Sequence, residues 1–363
     1  MTDRRRSSPA RRAPPEVSDA GNATGNPGDM LSALKRRAMR HKWLIIAWAI
    51  RDNLRMKRRL RSGRAETDSG ATHATMTLEQ SVQYVHAVHD DYLRQGELSP
   101  GDLAGARILE LGPGDNLGVA LLFLAGGARE VVCLDRFHSR RDARQQRRVY
   151  AALREELAGV ARERFDAALE SAGSGMDRSP LRYVYGRGIE EAAPLFDPAS
   201  FDLIVSRAVL EHLFDPAAAF DAMDRLLAPA GRMLHKVDLR DHGLFSAAGY
   251  HPLEFLTLPE SVYRAMSSHS GRPNRRRIDF YRSQLAVRGY DARFRITHAT
   301  GVETEIVPPR EALERGADYG ERSLALIASI RPRLATPFRA LADEALLASG
   351  FFVVARRVRN TAL

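Results

Sequence analysis

Apolar positions between residues 107 and 135 follow a strand, turn, helix and strand pattern. Residues 107–111 form an almost continuously apolar run, which is typical of a strand buried on both faces, and Glu110 is the charged exception at its carboxyl end. Residues 117–124 then supply the apolar face of a helix, and a second apolar run closes on Asp135. The pattern predicts an α/β fold in which a doubly wound sheet carries helices on both faces.

The turn between the first strand and this helix contains Gly112 and Gly114. Because glycine lacks Cβ, the backbone can bend sharply there and a ligand can lie directly against it. Doubly wound sheets bind ligands at the carboxyl ends of their strands, where Asp135 can accept hydrogen bonds from ribose hydroxyls. Two glycines alone fit an ordinary turn without a ligand, but the paired acid favours a bound adenosine.

The residues of the turn distinguish between two adenosine cofactors. A dinucleotide site requires a third glycine three residues after the second, to bring helix and strand together around a pyrophosphate, and Leu117 occupies that position. Asp115 would also repel a pyrophosphate, whereas a sulfonium and an ammonium group would tolerate Glu110 and Asp115. The chemistry favours S-adenosylmethionine and leaves an NAD-dependent oxidoreductase as the alternative.

Further landmarks follow this unit along the chain. After ELGPG at 110–114 come GRGIEE at 186–191, FDLIVSRAVLEHLFDP at 201–216, APAGRMLHKVDL at 228–239 and GFFVVARRV at 350–358. With these motifs in order, roughly residues 76–358 resemble the Rossmann-like, class I S-adenosylmethionine-dependent methyltransferases. The resemblance implies a mostly parallel sheet of seven strands whose last strand lies antiparallel beside the fifth.

The same resemblance implies which residues contact the cofactor. The glycine turn with Glu110 would hold the methionine part, Asp135 the ribose, and the GRGIEE segment the adenine. The cofactor-binding residues predicted in this way are Glu110, Gly112, Gly114, Asp135, Ile189, Glu190 and Ser206.

Three segments lengthen the chain relative to a minimal member of this family. They are helical insertions at 139–175, 243–280 and 299–348. Insertions at the cofactor end of such sheets usually build the substrate pocket, so the family alone does not define the substrate. The length of 363 residues would allow about two domains, but the order of motifs predicts one catalytic domain at 76–358.

Cysteine content bears on the cellular compartment. Cys133 is the single cysteine of the chain and lies within the second apolar run, where a buried packing role is favoured over a nucleophile. An internal disulfide is impossible, which fits a reducing cytoplasm. The basic first residues run into a polar segment instead of an apolar one, so we expect no secretory signal.

Positive charge is concentrated at the amino-terminal end. Residues 1–64 hold 17 Lys and Arg against 5 Asp and Glu, a net charge of +12, whereas the remaining residues carry −2. Residues 1–30 lack large apolar groups apart from Met1, Val17 and Met30, and we expect a disordered basic tail. Residues 31–64 instead have the pattern of a basic amphipathic helix around the apolar run at 43–50, which is far shorter than the roughly 20 residues that cross a bilayer.

Trp43 and Trp48 lie in this predicted helix, flanked by Lys and Arg. That composition is typical of a segment lying in a membrane interface, which would place the protein peripherally on the inner face of the membrane. A helix whose apolar face docks on the catalytic domain is an equally good interpretation. Nucleic-acid binding is less favoured, because no recognised nucleic-acid module accompanies the charges.

A second helix is predicted from Thr77 to about Leu93. Thr77 and Gln80 have capping-box spacing, and the apolar face consists of Leu78, Val82, Val85 and Tyr92. In the methyltransferases that the chain resembles, a helix before the first strand often closes over the methionine end of the cofactor. Tyr84 and Tyr92 are candidates for that contact, although aromatic residues at helical spacing are more often part of a core.

Histidines near the strand ends are the candidate catalytic residues. A hydroxyl acceptor must lose its proton during methyl transfer, and histidine is the natural base near pH 7. His212 follows Glu211 at the start of the helix after the fourth strand, and His242 lies beyond the fifth. Asp238 or Asp241 could orient such a base. His235, which is internal to the fifth strand, is the weakest candidate.

We therefore predict O-methylation of a small molecule or of a glycan hydroxyl, with His212 and His242 as catalytic residues. The His and Asp spacing does not assure convergence on a metal ion, so no metal site is predicted. Arginines at 272–277 and Arg282 could receive an anionic substrate, but a solvated helix face explains them better. A non-catalytic, membrane-associated binding module on the same fold remains a further alternative.

Overall fold

The computed structural model describes residues 41–63, 66–67, 72–172 and 179–358. The predicted basic tail at 1–30 and the first part of the predicted helix at 31–64 lie outside these residues. Within the described part, strands and helices alternate along the chain from the first landmark motif onward.

Seven strands form the central sheet. They are β1 (Arg107–Leu111), β2 (Glu130–Asp135), β3 (Leu181–Tyr185), β4 (Phe201–Arg207), β5 (Leu227–Asp238), β6 (Tyr290–Ala299) and β7 (Ala348–Arg357). The spatial order is β3-β2-β1-β4-β5-β7-β6. The first five strands are parallel, and β7 is antiparallel to both of its neighbours, β5 and β6. The predicted doubly wound sheet with an antiparallel last strand is confirmed.

Helices cover both faces of the sheet. They are α1 (Lys42–Arg61), α2 (Leu78–Gly96), α3 (Pro100–Leu103), α4 (Gly118–Ala125), α5 (Ala143–Glu155), α6 (Gly159–Ala172), α7 (Ile189–Ala192), α8 (Pro216–Leu226), α9 (Glu260–Ser267), α10 (Ile278–Ala286), α11 (Glu321–Ile330), α12 (Thr336–Arg339) and α13 (Asp343–Leu347). Helices α5 and α6 lie in the predicted insertion at 139–175, and α9 and the start of α10 in that at 243–280. The third insertion, at 299–348, contains α11 to α13.

Alternation along the strands divides the core into two layers. Leu109, Leu111 and their neighbours on one face pack against α8 and α10, whereas Ile108 and Cys133 on the other pack against α2, α4, α5 and α6. Helix α2 begins with the predicted capping box, because Thr77 Oγ1 accepts from Gln80 N and the Gln80 side chain accepts from Thr77 N. The glycine turn that follows β1 and Asp135 at the end of β2 therefore lie at the same edge of the sheet.

Helix α1 docks on the segment that follows β5. Its buried face consists of Ile45, Ile46 and Ala49, which join a third apolar cluster with residues 253–266. Asn53 anchors the helix, since its Nδ2 donates to Ala265 O at 2.9 Å and its Oδ1 accepts from His269 N at 2.7 Å. One face of this helix therefore docks on the rest of the protein, as one of the two interpretations of the sequence expects. None of the described helices is long and apolar enough to cross a bilayer.

The charge pattern before α10 suggests a solvated helix face, but two of its arginines, Arg275 and Arg277, are buried. Arg277 is 2% exposed, and its guanidinium donates to the carbonyl oxygens of Leu239, Ala345, Leu346 and Ala348. Arg275 is also buried and donates to Phe255 O and Leu258 O. These side chains tie the loops above the sheet together, so that interpretation of the charge run is wrong for both residues.

Candidate active site

A cavity of about 780 Å³ lies along the carboxyl ends of β2, β1, β4 and β5. Residues of α1 and of the 270–273 segment contribute to its wall on the side away from the sheet. Six of the residues predicted from the sequence line it: Gly112, Gly114, Asp135, Ile189, His212 and His242. The structure thus brings both the predicted cofactor end and the predicted catalytic end into one space.

The glycine turn after β1 requires glycine for two reasons. Gly112 and Gly114 have φ values of 64° and 69°, in the left-handed region that side chains disfavour. A Cβ on Gly112 would also lie 2.4 Å from Cγ2 of Val209, which is inside the contact distance. The bare backbone at this point forms the floor of the cavity.

Replacing Gly112 by Ala should displace Val209 and reshape the floor. We expect a loss of S-adenosylmethionine affinity of about tenfold or more, together with a loss of stability of about 1–3 kcal/mol from the strained φ and the overpacking. Isothermal titration calorimetry and thermal unfolding measure the two effects. In the double variant with Val209→Ala, the loss of stability caused by the clash should disappear, and the loss caused by the strained φ should remain. If the double variant is as unstable as Gly112→Ala alone, the clash is not the cause.

Asp135 stands at the carboxyl end of β2, inside the cavity. One of its carboxylate oxygens accepts a hydrogen bond from Phe137 N at 3.1 Å. Burial raises the pKa of this carboxyl to about 6, although the backbone hydrogen bond from Phe137 and the charge of Arg141 lower it. The group is therefore an ionised acceptor at neutral pH.

Glu110 lies beside this site but does not line the cavity. It is 6% exposed and accepts a hydrogen bond from Cys133 Sγ at 3.4 Å, its cross-strand neighbour. Burial raises the pKa of Glu110 to about 7, and the Cys133 contact and Arg141 lower it. Glu110 and Asp135 project from the same face of neighbouring strands, and both lie close to the glycine turn that follows β1.

Arg141 also belongs to this region, although it is not among the residues predicted from the sequence. Its guanidinium lies 3.7 Å from the ring centroid of Tyr183 and donates to Gly114 O at 3.4 Å. Its charge lowers the pKa of both Glu110 and Asp135. It belongs to an arginine-rich insertion in which no single arginine differs from its neighbours by pattern.

The segment after β3 contributes Ile189 but not Glu190 to the cavity. The Glu190 carboxylate pairs with Arg136 at 2.9 Å and accepts from Phe214 N and Asp215 N, each at 3.2 Å. Arg136 itself lines the cavity and lies over the ring of Phe214. The Glu190 carboxylate thus holds the loop that precedes α8, and the adenine contact of Glu190 stays a prediction.

Ser206 is also outside the cavity. It is fully buried on β4, where its hydroxyl is hydrogen bonded to Nδ1 of His235 at 2.7 Å on the neighbouring strand. Burial lowers the pKa of His235 to about 3. The Ser206 hydroxyl is thus directed at His235 and not at the cavity, the cofactor contact of Ser206 stays a prediction, and His235 is a core residue.

The segment before α2 is held against the glycine turn by Asp115. The Asp115 carboxylate accepts from His73 N at 3.1 Å and from Ala74 N at 3.1 Å, so it anchors the chain instead of facing the cavity. Thr72, the neighbouring residue, lines the cavity. Tyr92, one of the two tyrosines considered for the methionine end, is 2% exposed and belongs to the core.

His212 and His242 meet at the end of the cavity above β4 and β5. Their rings are 4.8 Å apart in an edge-to-face arrangement. His212 lies in a 3₁₀ turn, Leu210–His212, and not at the start of α8, which begins at Pro216 with Asp215 as its N-cap. Burial lowers the pKa of His212 to about 4, helped by nearby His242, so His212 is neutral.

Glu211 joins the two histidines. It is 1% exposed, and one of its carboxylate oxygens lies within 4.8 Å of a ring nitrogen of each histidine. Burial raises the pKa of Glu211 to about 8, and the negative charge of Asp238 adds to this. Glu211 is not among the residues predicted from the sequence, although it lies directly before His212 and after a strand end.

The two aspartates considered as orienting groups have other partners. Asp241 is buried and accepts hydrogen bonds from Gly243 N, Phe245 N and Ser246 N, so it shapes the loop that carries His242. Asp238 pairs with Arg240, and its Oδ2 is 3.8 Å from His242 Nε2. Asp238 can attract a charged His242 but is beyond hydrogen-bond distance.

The cavity fits the cofactor that the sequence predicts. Its floor is bare glycine backbone, its ionised Asp135 faces inward, and its wall carries the apolar Ile189. Since adjacent strands are about 4.8 Å apart, the histidine end on β4 and β5 lies roughly 10–15 Å from the Asp135 end on β2. The cavity can therefore hold a nucleoside and an acceptor side by side.

Known proteins show the same family. A family model described as a methyltransferase domain matches residues 84–299. No curated protein is detectably similar to the chain. The crystal structure of an S-adenosylmethionine-dependent methyltransferase from Mesorhizobium loti is 17% identical, with 77% of this chain and 100% of that chain covered and a TM-score of 0.38.

A second solved structure is phosphoethanolamine N-methyltransferase 2 of Haemonchus contortus in complex with S-adenosyl-L-methionine. It is 15% identical, with 78% of this chain and 58% of that chain covered and a TM-score of 0.38. At such values neither structure bears on the acceptor. The family model, however, covers more than half of the chain and removes the oxidoreductase and non-catalytic alternatives. The chain belongs to the Rossmann-like S-adenosylmethionine-dependent methyltransferases, with S-adenosylmethionine as its methyl donor.

Proposed function

We propose that this enzyme methylates a hydroxyl oxygen of a small molecule or of a glycan. The observation that carries the proposal is the meeting of His212 and His242 at one end of the cavity, with the nucleoside-binding residues at the other. When bound, S-adenosylmethionine supplies a methyl group that its sulfonium already activates. The protein then has to align the acceptor and to receive its proton.

The predicted residues bind the cofactor at one end of the cavity and receive the hydroxyl proton at the other. Gly112 and Gly114 leave room for the cofactor against the backbone, Asp135 accepts from the ribose hydroxyls, and Ile189 packs against the adenine. His242 is the more accessible histidine, with 32% of its side chain exposed, and this access supports it as the residue that takes the hydroxyl proton. Neutral His212 packs against its ring and orients it.

The test measures S-adenosylhomocysteine released from a panel of sugars, phenols, amines and carboxylates. We expect turnover with hydroxyl acceptors and a loss of kcat of about 100-fold or more in His242→Ala, because general-base catalysis contributes on that order. Affinity for S-adenosylmethionine should be unchanged in that variant. Turnover restricted to amines, or full activity of His242→Ala with a hydroxyl acceptor, would contradict the proposal.

We further propose that the outer face of α1 contacts an anionic membrane surface. Four large apolar side chains remain exposed on it: Trp43 (74%), Leu44 (46%), Trp48 (40%) and Leu54 (49%). Arg51, Arg55 and Arg58 are exposed on the same helix. A face that combines tryptophan, leucine and arginine is suited to the headgroup region. Trp48 also lines the cavity, so this surface adjoins its mouth.

Liposome sedimentation tests this surface without removing the docked helix. With vesicles that contain anionic phospholipid, Trp43→Ser combined with Leu54→Ser should lower the partition coefficient about tenfold or more, from the lost burial of two large apolar groups. Val287, which is 73% exposed on another part of the surface, provides the control Val287→Ser. Equal partitioning of the double variant and this control would remove the membrane proposal.

A further inference from the structure

We propose that Glu211, His212 and His242 bind a divalent first-row transition-metal ion at the acceptor end of the cavity. The inference rests on the proposed O-methylation for the role of the ion, but not for the binding itself, and it gives His242 the role of a ligand in place of that of a base. The site combines one carboxylate and two imidazoles, a set that suits Mn²⁺, Fe²⁺, Co²⁺ or Zn²⁺ better than Mg²⁺.

The three donor atoms are close enough to converge on one ion. One carboxylate oxygen of Glu211 and one ring nitrogen of each histidine all lie within 4.8 Å of one another. With metal–ligand bonds of about 2.1 Å, neighbouring ligand atoms stand roughly 3.0–3.5 Å apart. A closure of about 1–2 Å is therefore needed, and His242, the most exposed of the three, can supply it by side-chain rotation.

Two buried polar atoms in this cluster lack a partner among the residues that the structure describes. Oε2 of Glu211 and Nδ1 of His212 are both enclosed and make no hydrogen bond there. Buried polar atoms are nearly always satisfied, so two at one point indicate a missing partner. A packing role would explain the His212 ring, but it leaves the second oxygen of Glu211 without a hydrogen-bond partner in the described residues.

The surroundings hold these ligands in place. Oε1 of Glu211 accepts from Asp238 N at 3.0 Å, which fixes the carboxylate plane and leaves the second oxygen directed elsewhere. His242 has a φ of 50°, a left-handed conformation that is uncommon for histidine, and the loop around it is fixed by Asp241. Outer contacts of this kind orient metal ligands in known sites.

An ion at this point would have open coordination positions towards the cavity, because His212 and His242 both line it. A hydroxyl oxygen in such a position becomes more acidic, since the positive charge stabilises the alkoxide. In the methyl transfer, the oxygen–carbon bond would form as the sulfur–carbon bond breaks, and the hydroxyl proton would pass to solvent. His242 would then act as a ligand, and no base would be needed.

The experiment uses the full-length protein without an affinity tag, after treatment with EDTA and removal of the chelator. Titration with Co²⁺, followed by visible absorption and by calorimetry, should show one equivalent bound, with d–d bands typical of nitrogen and oxygen ligands. His242→Ala and Glu211→Gln should each weaken Co²⁺ binding at least about tenfold. His86→Ala removes a histidine on α2, outside this cluster, and should bind as the parent protein does.

The outcomes separate this inference from the proposed function. Absence of a stoichiometric Co²⁺ complex, or equal binding by His242→Ala, would overturn the metal site. A water or a shared proton between Glu211 and His212 would then satisfy the buried atoms, and O-methylation by a histidine base would stand. Tight Co²⁺ binding without any turnover of hydroxyl acceptors would instead support the site and contradict the proposed function. S-adenosylmethionine binding by each variant checks that the protein is folded.

Discussion

Replacing Asp135 by Ala should weaken the binding of S-adenosylmethionine by about 100-fold or more. Hydrogen bonds to an ionised group each contribute roughly 1.5–3 kcal/mol, and a ribose offers two hydroxyls to this carboxylate. A loss of about 3 kcal/mol corresponds to roughly two orders of magnitude in Kd. Isothermal titration calorimetry at pH 7.5 measures the effect.

Asp291→Ala is the matched control, because Asp291 is exposed on β6, far from the cavity wall. Unchanged affinity in Asp135→Ala would remove this carboxylate from the site. Affinity of the parent protein should also fall as pH drops below about 6, since protonation of Asp135 removes the ionised acceptor. Asp135→Asn should lose that dependence, and any remainder near pH 7 would point to Glu110.

Replacing Arg277 by Met should destabilise the fold by about 3–5 kcal/mol. The buried guanidinium donates to four carbonyl oxygens, which belong to the loop after β5, to α13 and to the start of β7. Methionine fills much of the volume but donates nothing. Leu346 O keeps its hydrogen bond from Thr300 Oγ1, and two carbonyls left without a donor, at about 1–3 kcal/mol each, account for a loss of this size. Chemical denaturation at neutral pH measures the change in the free energy of unfolding.

Arg276→Met is the control for this change. Arg276 is the exposed neighbour, and its loss should cost less than about 1 kcal/mol. If both variants unfold at the same denaturant concentration, the carbonyl contacts of Arg277 do not stabilise the protein. If Arg277→Met does not fold at all, Arg277→Lys, which keeps one charged donor, should fold with an intermediate loss.

Local pattern was sufficient to predict the elements nearest the cofactor. The apolar run, the two glycines and Asp135 are contiguous within about thirty residues, and their geometry follows from backbone rules that act over short distances. The capping box of α2 is local in the same sense. Strand β6 was not identified, although Tyr290, Ala292, Phe294 and Ile296 alternate with polar residues along it.

Positions whose role depends on distant partners were predicted less well. Ser206 stands at a strand end, but the register of β4 against β5 places it opposite His235 in the core. Glu190 lies in a segment whose sequence suggests a ligand contact, yet its carboxylate is paired with Arg136 and with two backbone amides. The run of arginines before α10 has the sequence pattern of a solvated surface. Burial of Arg277 could not be predicted from this pattern, because the carbonyl groups that accept its hydrogen bonds lie up to 71 residues away.

Trp48 and Asp52, which come from a helix some sixty residues ahead of the glycine turn, complete one side of the cavity. Asp52 is paired with Arg272, so the contact joins the two sequence-distant parts of that wall. Changes in this early helix can therefore reshape that side of the cavity without altering the glycine turn or Asp135. Selectivity in such an enzyme can diverge through a segment outside residues 84–299, the part that the methyltransferase-domain model matches.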